Sequence, residues 1–114
     1  MRVCDVVELL SAKVLTPGLD SNREVAFAFS SDLMSDVLTR DYENTILITG
    51  LSNIQAIRTA EMSDIGQVVI GRNKMVSQEM IDLAEGNDIF LLQSEYSLFR
   101  ISGLLYKEGI KPLF

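Results

Sequence analysis

The spacing of apolar residues changes character along this chain and then settles. Val3, Val6, Val7 and Leu10 fall at i, i+3, i+4 and i+7, the stripe of a short amphipathic helix. Residues 12–16 read as extended, Pro17-Gly18 as a turn, and residues 19–23 as a polar connector. Val25, Phe27 and Phe29 then alternate with Ala26 and Ala28 in a strand apolar on both faces, ended by Ser30-Ser31-Asp32. Asp32 is suited to cap a short helix over residues 33–38, because its carboxylate can accept an orphan backbone N–H.

From residue 45 the pattern becomes regular. Thr45-Ile46-Leu47-Ile48-Thr49 is short, β-branched and nearly all apolar, as a central parallel strand should be. Gly50 breaks it, and Ser52 or Asn53 can cap a helix over residues 53–64. A strand at 67–71, a helix at 77–85, a strand at 88–92 and a helix at 96–107 follow. Ser77 starts the second of these helices, and Gly86 and Gly109 end the second and third. Three consecutive strand–helix units predict a parallel sheet with right-handed crossovers. The expected fold is therefore α/β: a single small domain over residues 1–114, a mostly parallel sheet, and helices on both faces. The segments 12–16 and 24–29 are expected to add strands at one side of that sheet.

Charge and composition remove several function classes. Ten Lys and Arg stand against 16 Asp and Glu, a formal charge of −6, and the basic residues form no run. A nucleic-acid binder needs clustered positive charge to release counterions, so no nucleic-acid partner is expected. Cys4 is the sole cysteine and no secretory pattern precedes it, which points to the cytoplasm. No apolar run approaches the roughly 20 residues that span a bilayer, so no membrane partner is expected. Histidine is absent, which excludes a Ser-His-Asp triad or a histidine zinc site within the chain. Oxygen-ligated magnesium stays open on composition alone. Asp32 and Asp36 have helical spacing, but read better as a cap and a solvated position than as a metal or acid–base pair. No catalytic residue, metal site or cofactor is expected.

The candidate chemistry lies where strands end. Thr49-Gly50-Leu51-Ser52-Asn53 offers hydroxyls, an amide and free N–H groups, the parts of a phosphate or carboxylate cradle, or of an ordinary turn. Neither a Walker A loop nor a Gly-x-Gly-x-x-Gly fingerprint occurs. In a parallel sheet, Gly71-Arg72-Asn73 and Gln93-Ser94 share that carboxyl edge. Arg72 there can pair with an anion or simply be solvated, and Ser94 can face a ligand or cap the last helix. The expected ligand site is thus Thr49, Gly50, Ser52, Asn53, Arg72 and Ser94. In the last helix, Leu98, Phe99, Ile101, Leu104, Leu105 and Tyr106 cover more than one face, and Gly103 would let another helix approach. These six residues are expected to form a homodimer interface, unless the tail at 110–114 folds back over the second face.

SDLMSDVL, ILITGLSNIQAIRTAEMSDI, VVIGRNK and IFLLQSEYSLFRISGLLYKEGI, taken in order, resemble a stand-alone DRTGG domain over almost the whole chain. Such domains are similar to the N-terminal domain of HPr kinase/phosphorylase. They occur as regulatory modules, for instance beside CBS domains in some pyrophosphatases and in some phosphotransacetylases, where they help dimerise the chain. The resemblance implies a dimeric, regulatory or ligand-binding α/β domain without chemistry of its own. The Asp-Arg-Thr-Gly-Gly string itself is absent: Gly50-Leu51-Ser52-Asn53 lacks the acidic–basic pair that many members carry there. The kinase's P-loop is absent too, so no kinase activity is carried over. The expected function is a non-catalytic, homodimeric module that senses a small anionic ligand such as a nucleotide or phosphorylated metabolite. The alternative is a protein–protein interaction module without a ligand.

Overall fold

The computed structural model describes residues 1–38 and 43–113. In chain order the elements are α1 (Val3–Leu9), β1 (Lys13–Val14), β2 (Phe27–Ser30), α2 (Met34–Val37), β3 (Thr45–Thr49) and α3 (Ile54–Met62). They continue with β4 (Gln67–Ile70), α4 (Gln78–Gly86), β5 (Phe90–Gln93), α5 (Leu98–Lys107) and β6 (Lys111–Pro112). Among the described residues, six strands form one sheet in the order β1-β5-β4-β3-β2-β6. The pairings among β2 to β6 are parallel, and β1 joins β5 antiparallel. The expected α/β architecture, mostly parallel with helices on both faces, is the one observed.

Strand alternation divides the core in two. Leu47, Val68, Ile70 and Leu91 face α2, α3 and α4, while Ile46, Ile48, Val69, Phe90 and Leu92 face α1 and α5. Every residue of β3 and β4 is buried, which is why both read as continuous apolar runs rather than alternating ones. The division follows from handedness. The chain steps from β2 to β5 through adjacent positions, so right-handed crossovers lay α2, α3 and α4 on one face. After β5 it returns across the whole sheet to β6, and the reversed direction puts α5 on the other face.

The structure corrects the expected placement of the early strands. They flank opposite sides of the central pair instead of sharing one side. β1 closes the β5 edge, where the Leu15 N–H donates to the Leu91 carbonyl at 2.9 Å. The buried Thr16 hydroxyl accepts the Leu91 N–H at 3.1 Å. The chain then runs beneath the amino ends of the strands. There Arg23 donates to the carbonyls of Gly66 and Asp88 at 3.2 and 2.9 Å and pairs with the Asp88 carboxylate at 2.9 Å. This passage along the sheet's lower rim carries the chain to the far side of β3, a route with no periodic signal.

The tail was expected to cover α5 or leave it free; instead it extends the sheet. Lys111 and Leu113 donate to the carbonyls of Ala26 and Ala28 at 3.0 and 3.3 Å. The missing N–H of Pro112 therefore falls on the outer side of an edge strand, where no partner needs it. Phe114 lies outside the described residues. α2 also differs from expectation: it starts at Met34 after Leu33, with no side-chain cap, because the Asp32 carboxylate is bound elsewhere. α3, α4 and α5 are capped by Asn53, Ser77 and Ser97, each accepting a backbone N–H of its first turn.

Candidate functional site

Asp32, Thr49, Gly50 and Arg72 meet at the carboxyl edge of the sheet, each just at or past the end of β2, β3 or β4. The Gly50 N–H donates to Asp32 Oδ1 at 2.7 Å, and the buried Thr49 hydroxyl donates to the same oxygen at 2.9 Å. Thr49 Oγ1 also accepts the Leu51 N–H at 3.1 Å, which fixes the turn after β3. Arg72 Nη2 donates to the Gly50 carbonyl at 3.3 Å and lies 3.5 Å from Asp32 Oδ2. The Arg72 and Asp32 side chains are 48% and 43% exposed, so the cluster is open to solvent.

Backbone geometry explains how the guanidinium comes to lie there. Arg72 and Asn73 both have positive φ, 60° and 54°, and the Lys74 N–H reaches back to the Gly71 carbonyl at 3.4 Å. This is the arrangement of a type I′ turn built without glycine at either central position, a conformation costing on the order of 1 kcal/mol per residue. Two bonds to the loop after β5 hold it: Arg72 N–H to the Tyr96 carbonyl at 2.8 Å, and Asn73 N–H to the Ser94 carbonyl at 3.0 Å. The turned backbone sends the Arg72 side chain across to β3, over Gly50. A Cβ on Gly50 would stand 2.4 Å from Arg72 Nε and Nη2, so only glycine leaves room for the guanidinium in this position. The loops after β4 and β5 lead to helices on opposite faces, a topological switch point; the turn itself lies there, while its guanidinium reaches away from β5 to the ends of β3 and β2.

Burial pushes the Asp32 carboxyl upward. The Gly50 N–H, the Thr49 hydroxyl and the charges of Arg72 and Lys74 outweigh that push, and hold it below the usual carboxylate range. Asp32 is thus ionised near neutral pH, and the cradle expected to face an outside anion holds the protein's own. An acid and a base, Asp32 and Arg72, thus flank Thr49-Gly50 in space, supplied from the ends of β2 and β4.

The other predicted site residues are placed differently. Ser52 donates to the Met75 carbonyl, tying the loop after β3 to the loop after β4. Asn53 Oδ1 accepts the Ala56 N–H at 3.1 Å as the cap of α3. Ser94 is buried, donates to the Leu10 carbonyl at 3.0 Å and accepts the Tyr96 N–H at 3.2 Å, so its hydroxyl lies under the turn rather than in the cluster. Thr49, Gly50 and Arg72 are therefore brought together, Ser52 and Asn53 adjoin them with their side chains engaged, and Ser94 is apart. Asp32 and Lys74 are the members that sequence reasoning missed. Asp32 carried a signal, an acid just past a strand end, but it fitted a helix cap equally well. Among the described residues, no three acidic or thiol side chains are grouped so as to hold a metal ion.

The outward face of α5 is narrower than the sequence suggested. Ile101 and Leu105 are fully buried against the sheet of the same chain, which corrects their assignment to an interface. Leu98 and Leu104 are half-buried and pack on the same core. Phe99 and Tyr106 remain on the outside, 90% and 69% exposed, with Ser102 and Gly103 between them. Beside Tyr106, a groove of about 280 Å³ runs between α5 and the β2–β6 edge, lined by Ala28, Ile48, Leu105 and Pro112 among others. No helix among the described residues is long and apolar enough to cross a membrane.

No protein-family model and no curated protein matches this sequence. Among solved structures, the fold is similar to the CBS and DRTGG domains of the regulatory region of Clostridium perfringens pyrophosphatase, determined with the activator diadenosine tetraphosphate. The TM-score is 0.72 at 15% identity, over 91% of this chain and 45% of that one. This chain thus spans less than half of that regulatory region, and what the two share is a small α/β fold of the DRTGG/CBS kind.

Proposed function

We propose that residues 1–114 act as one DRTGG-like, non-catalytic regulatory module that binds a small phosphorylated ligand, a nucleotide or sugar phosphate, at the carboxyl edge of its sheet. The observation carrying this reading is the strained Gly71-Arg72-Asn73-Lys74 turn, which holds a half-exposed guanidinium over Gly50 at the carboxyl edge of the sheet. Non-glycine residues in such a conformation persist where the surroundings impose it, and such strain clusters at ligand sites. A planar guanidinium suits phosphate oxygens. Lys74 adds charge, and Met75, almost fully exposed, adds an apolar neighbour for the rest of a ligand. The pyrophosphatase region, similar in fold, was solved with a dinucleotide activator, which favours a nucleotide among the candidates. The likeness to the HPr kinase N-terminal domain belongs to the same reading, as does a cytoplasmic location. Calorimetry against nucleotides and sugar phosphates tests it. Wild type binds at least one of them, Arg72→Ala weakens that binding at least about tenfold, and an unchanged affinity in Arg72→Ala refutes the site.

A second reading, assembly without a ligand, is favoured by one observation, the bare Phe99–Tyr106 stripe beside an apolar groove. In this reading α5 and its neighbouring groove meet a second copy of the chain. A strictly monomeric mass at micromolar concentration in light scattering refutes it.

A further inference from the structure

Arg72, Gly50 and Thr49 make up an anion cradle in working order, and it is already filled. Asp32 Oδ1 takes both the Gly50 N–H and the Thr49 hydroxyl, and Oδ2 faces the guanidinium. These are the contacts a phosphate oxygen would make. We propose that Asp32 is a built-in competitor, its carboxylate occupying the seat of a ligand phosphate, so that a phosphorylated ligand binds by displacing it. The proposal rests on the ligand site argued above and adds how that site is regulated.

Three features favour displacement over a permanent structural pair. Asp32 is 43% exposed and lies on the short connector between β2 and α2, so its side chain can leave towards solvent without opening the core. It is not the cap of α2, whose first turn makes no side-chain cap bond, so no helix start is lost when it moves. The neighbouring Ser31 hydroxyl accepts the Leu33 N–H at 3.0 Å, which gives the connector a turn of its own that does not depend on Asp32.

The chemistry sets the selectivity. A carboxylate brings one charge and two oxygens, whereas a phosphate group brings up to two charges and three oxygens. With Asp32 seated, the Arg72 charge is matched, so chloride and simple carboxylates gain little by entering. A dianionic phosphate outcompetes the single charge and can use Lys74 as well.

The test is titration of inorganic pyrophosphate, followed by calorimetry, into wild type, Asp32→Asn, Asp32→Ala and Arg72→Ala. Glu95→Gln serves as a control, since Glu95 is an exposed acid on the loop after β5, outside the cradle. Thermal melts confirm that each variant is folded. The expected result is at least about a tenfold gain in affinity for both Asp32 variants, as removal of an occluding state requires. Glu95→Gln gives a much smaller gain, and Arg72→Ala a loss. Equal gains in Asp32→Asn and Glu95→Gln would reduce the effect to general charge and overturn the proposal. Unchanged or weaker binding in both Asp32 variants, with binding lost in Arg72→Ala, would make Asp32 a positioning residue for the guanidinium; the ligand site stands and the competitor does not. If Arg72→Ala binds as wild type, or none of the proteins binds at millimolar pyrophosphate, the ligand site fails and the competitor with it.

Discussion

Substituting Gly50 by alanine separates the guanidinium from the rest of the site. The new Cβ would stand 2.4 Å from Arg72 Nε and Nη2 and 2.7 Å from its Cζ, all atoms at the far end of a flexible side chain. The backbone need not move, because Gly50 does not have positive φ. The guanidinium is therefore expelled, and its 3.3 Å bond to the Gly50 carbonyl and its ion pair with Asp32 are lost. For a half-exposed pair, that loss is worth about 1 kcal/mol at most. A glycine replaced by alanine in a compatible conformation gains about 0.4–1 kcal/mol from the stiffer unfolded chain. The two nearly cancel, so Tm should stay within about 4 °C of wild type, the shift that roughly 1 kcal/mol produces at this size. Binding of pyrophosphate should nevertheless fall at least about tenfold, as in Arg72→Ala, since the Arg72 charge no longer lies over the Gly50 N–H. The measurement is a thermal melt and a calorimetric titration on one preparation. Wild-type binding in Gly50→Ala, with loss in Arg72→Ala, would show that Arg72 acts from elsewhere. A Tm drop well beyond 8 °C would show that the alanine collides with backbone.

The two sides of α5 should respond differently. Ile101→Ala opens a cavity against the sheet beside Gly71 and costs about 2–5 kcal/mol in urea unfolding, while Phe99→Ser and Tyr106→Ser change stability by about 0.5 kcal/mol or less; equal losses of stability at the two sites would contradict the burial pattern. Acid should reveal Asp32, whose folded value lies below its ordinary value near 3.8. Its stabilising contribution is present above about pH 4 and is lost as pH falls through the lower folded value. Wild type should therefore lose its advantage over Asp32→Asn between about pH 4 and pH 2. Asp5, lowered by the Arg2 N–H and guanidinium against the push of desolvation, leaves a common slope in both proteins. A difference between them that persists unchanged to pH 2 would refute the assignment.

Much of the architecture was legible because it is written in local terms. The uniformly apolar runs of β3 and β4, the stripe of α1, the caps Asn53 and Ser77 and the stop at Gly109 are properties of a few neighbouring residues, each with a direct physical reading. Gly109 does adopt positive φ, 96°, as an end after α5 requires. What stayed hidden were assignments that depend on distant partners. Ser94 and Asp32 are small polar residues beside helix starts, and sequence offers capping as the nearest use for both. Their real partners are the Leu10 carbonyl and the Thr49–Gly50 turn, 84 and 17–18 residues away. The apolar surround of α5 likewise did not say which side faces inward, because helical periodicity leaves the direction of the core unspecified.

The sequence by itself determined that parallel strands alternate with helices and that their carboxyl ends share one edge, since period, turn residues and handedness are local or nearly so. It also excluded a Ser-His-Asp triad and a histidine zinc site within the chain, because histidine is absent. Only the tertiary structure decided that β1 and β2 lie on opposite sides of the sheet, that the tail becomes an edge strand, and that the Arg72 guanidinium lies over Gly50 against Asp32. Strand order and side-chain pairing across the chain follow from simultaneous packing of both faces. No window of neighbouring residues contains that information.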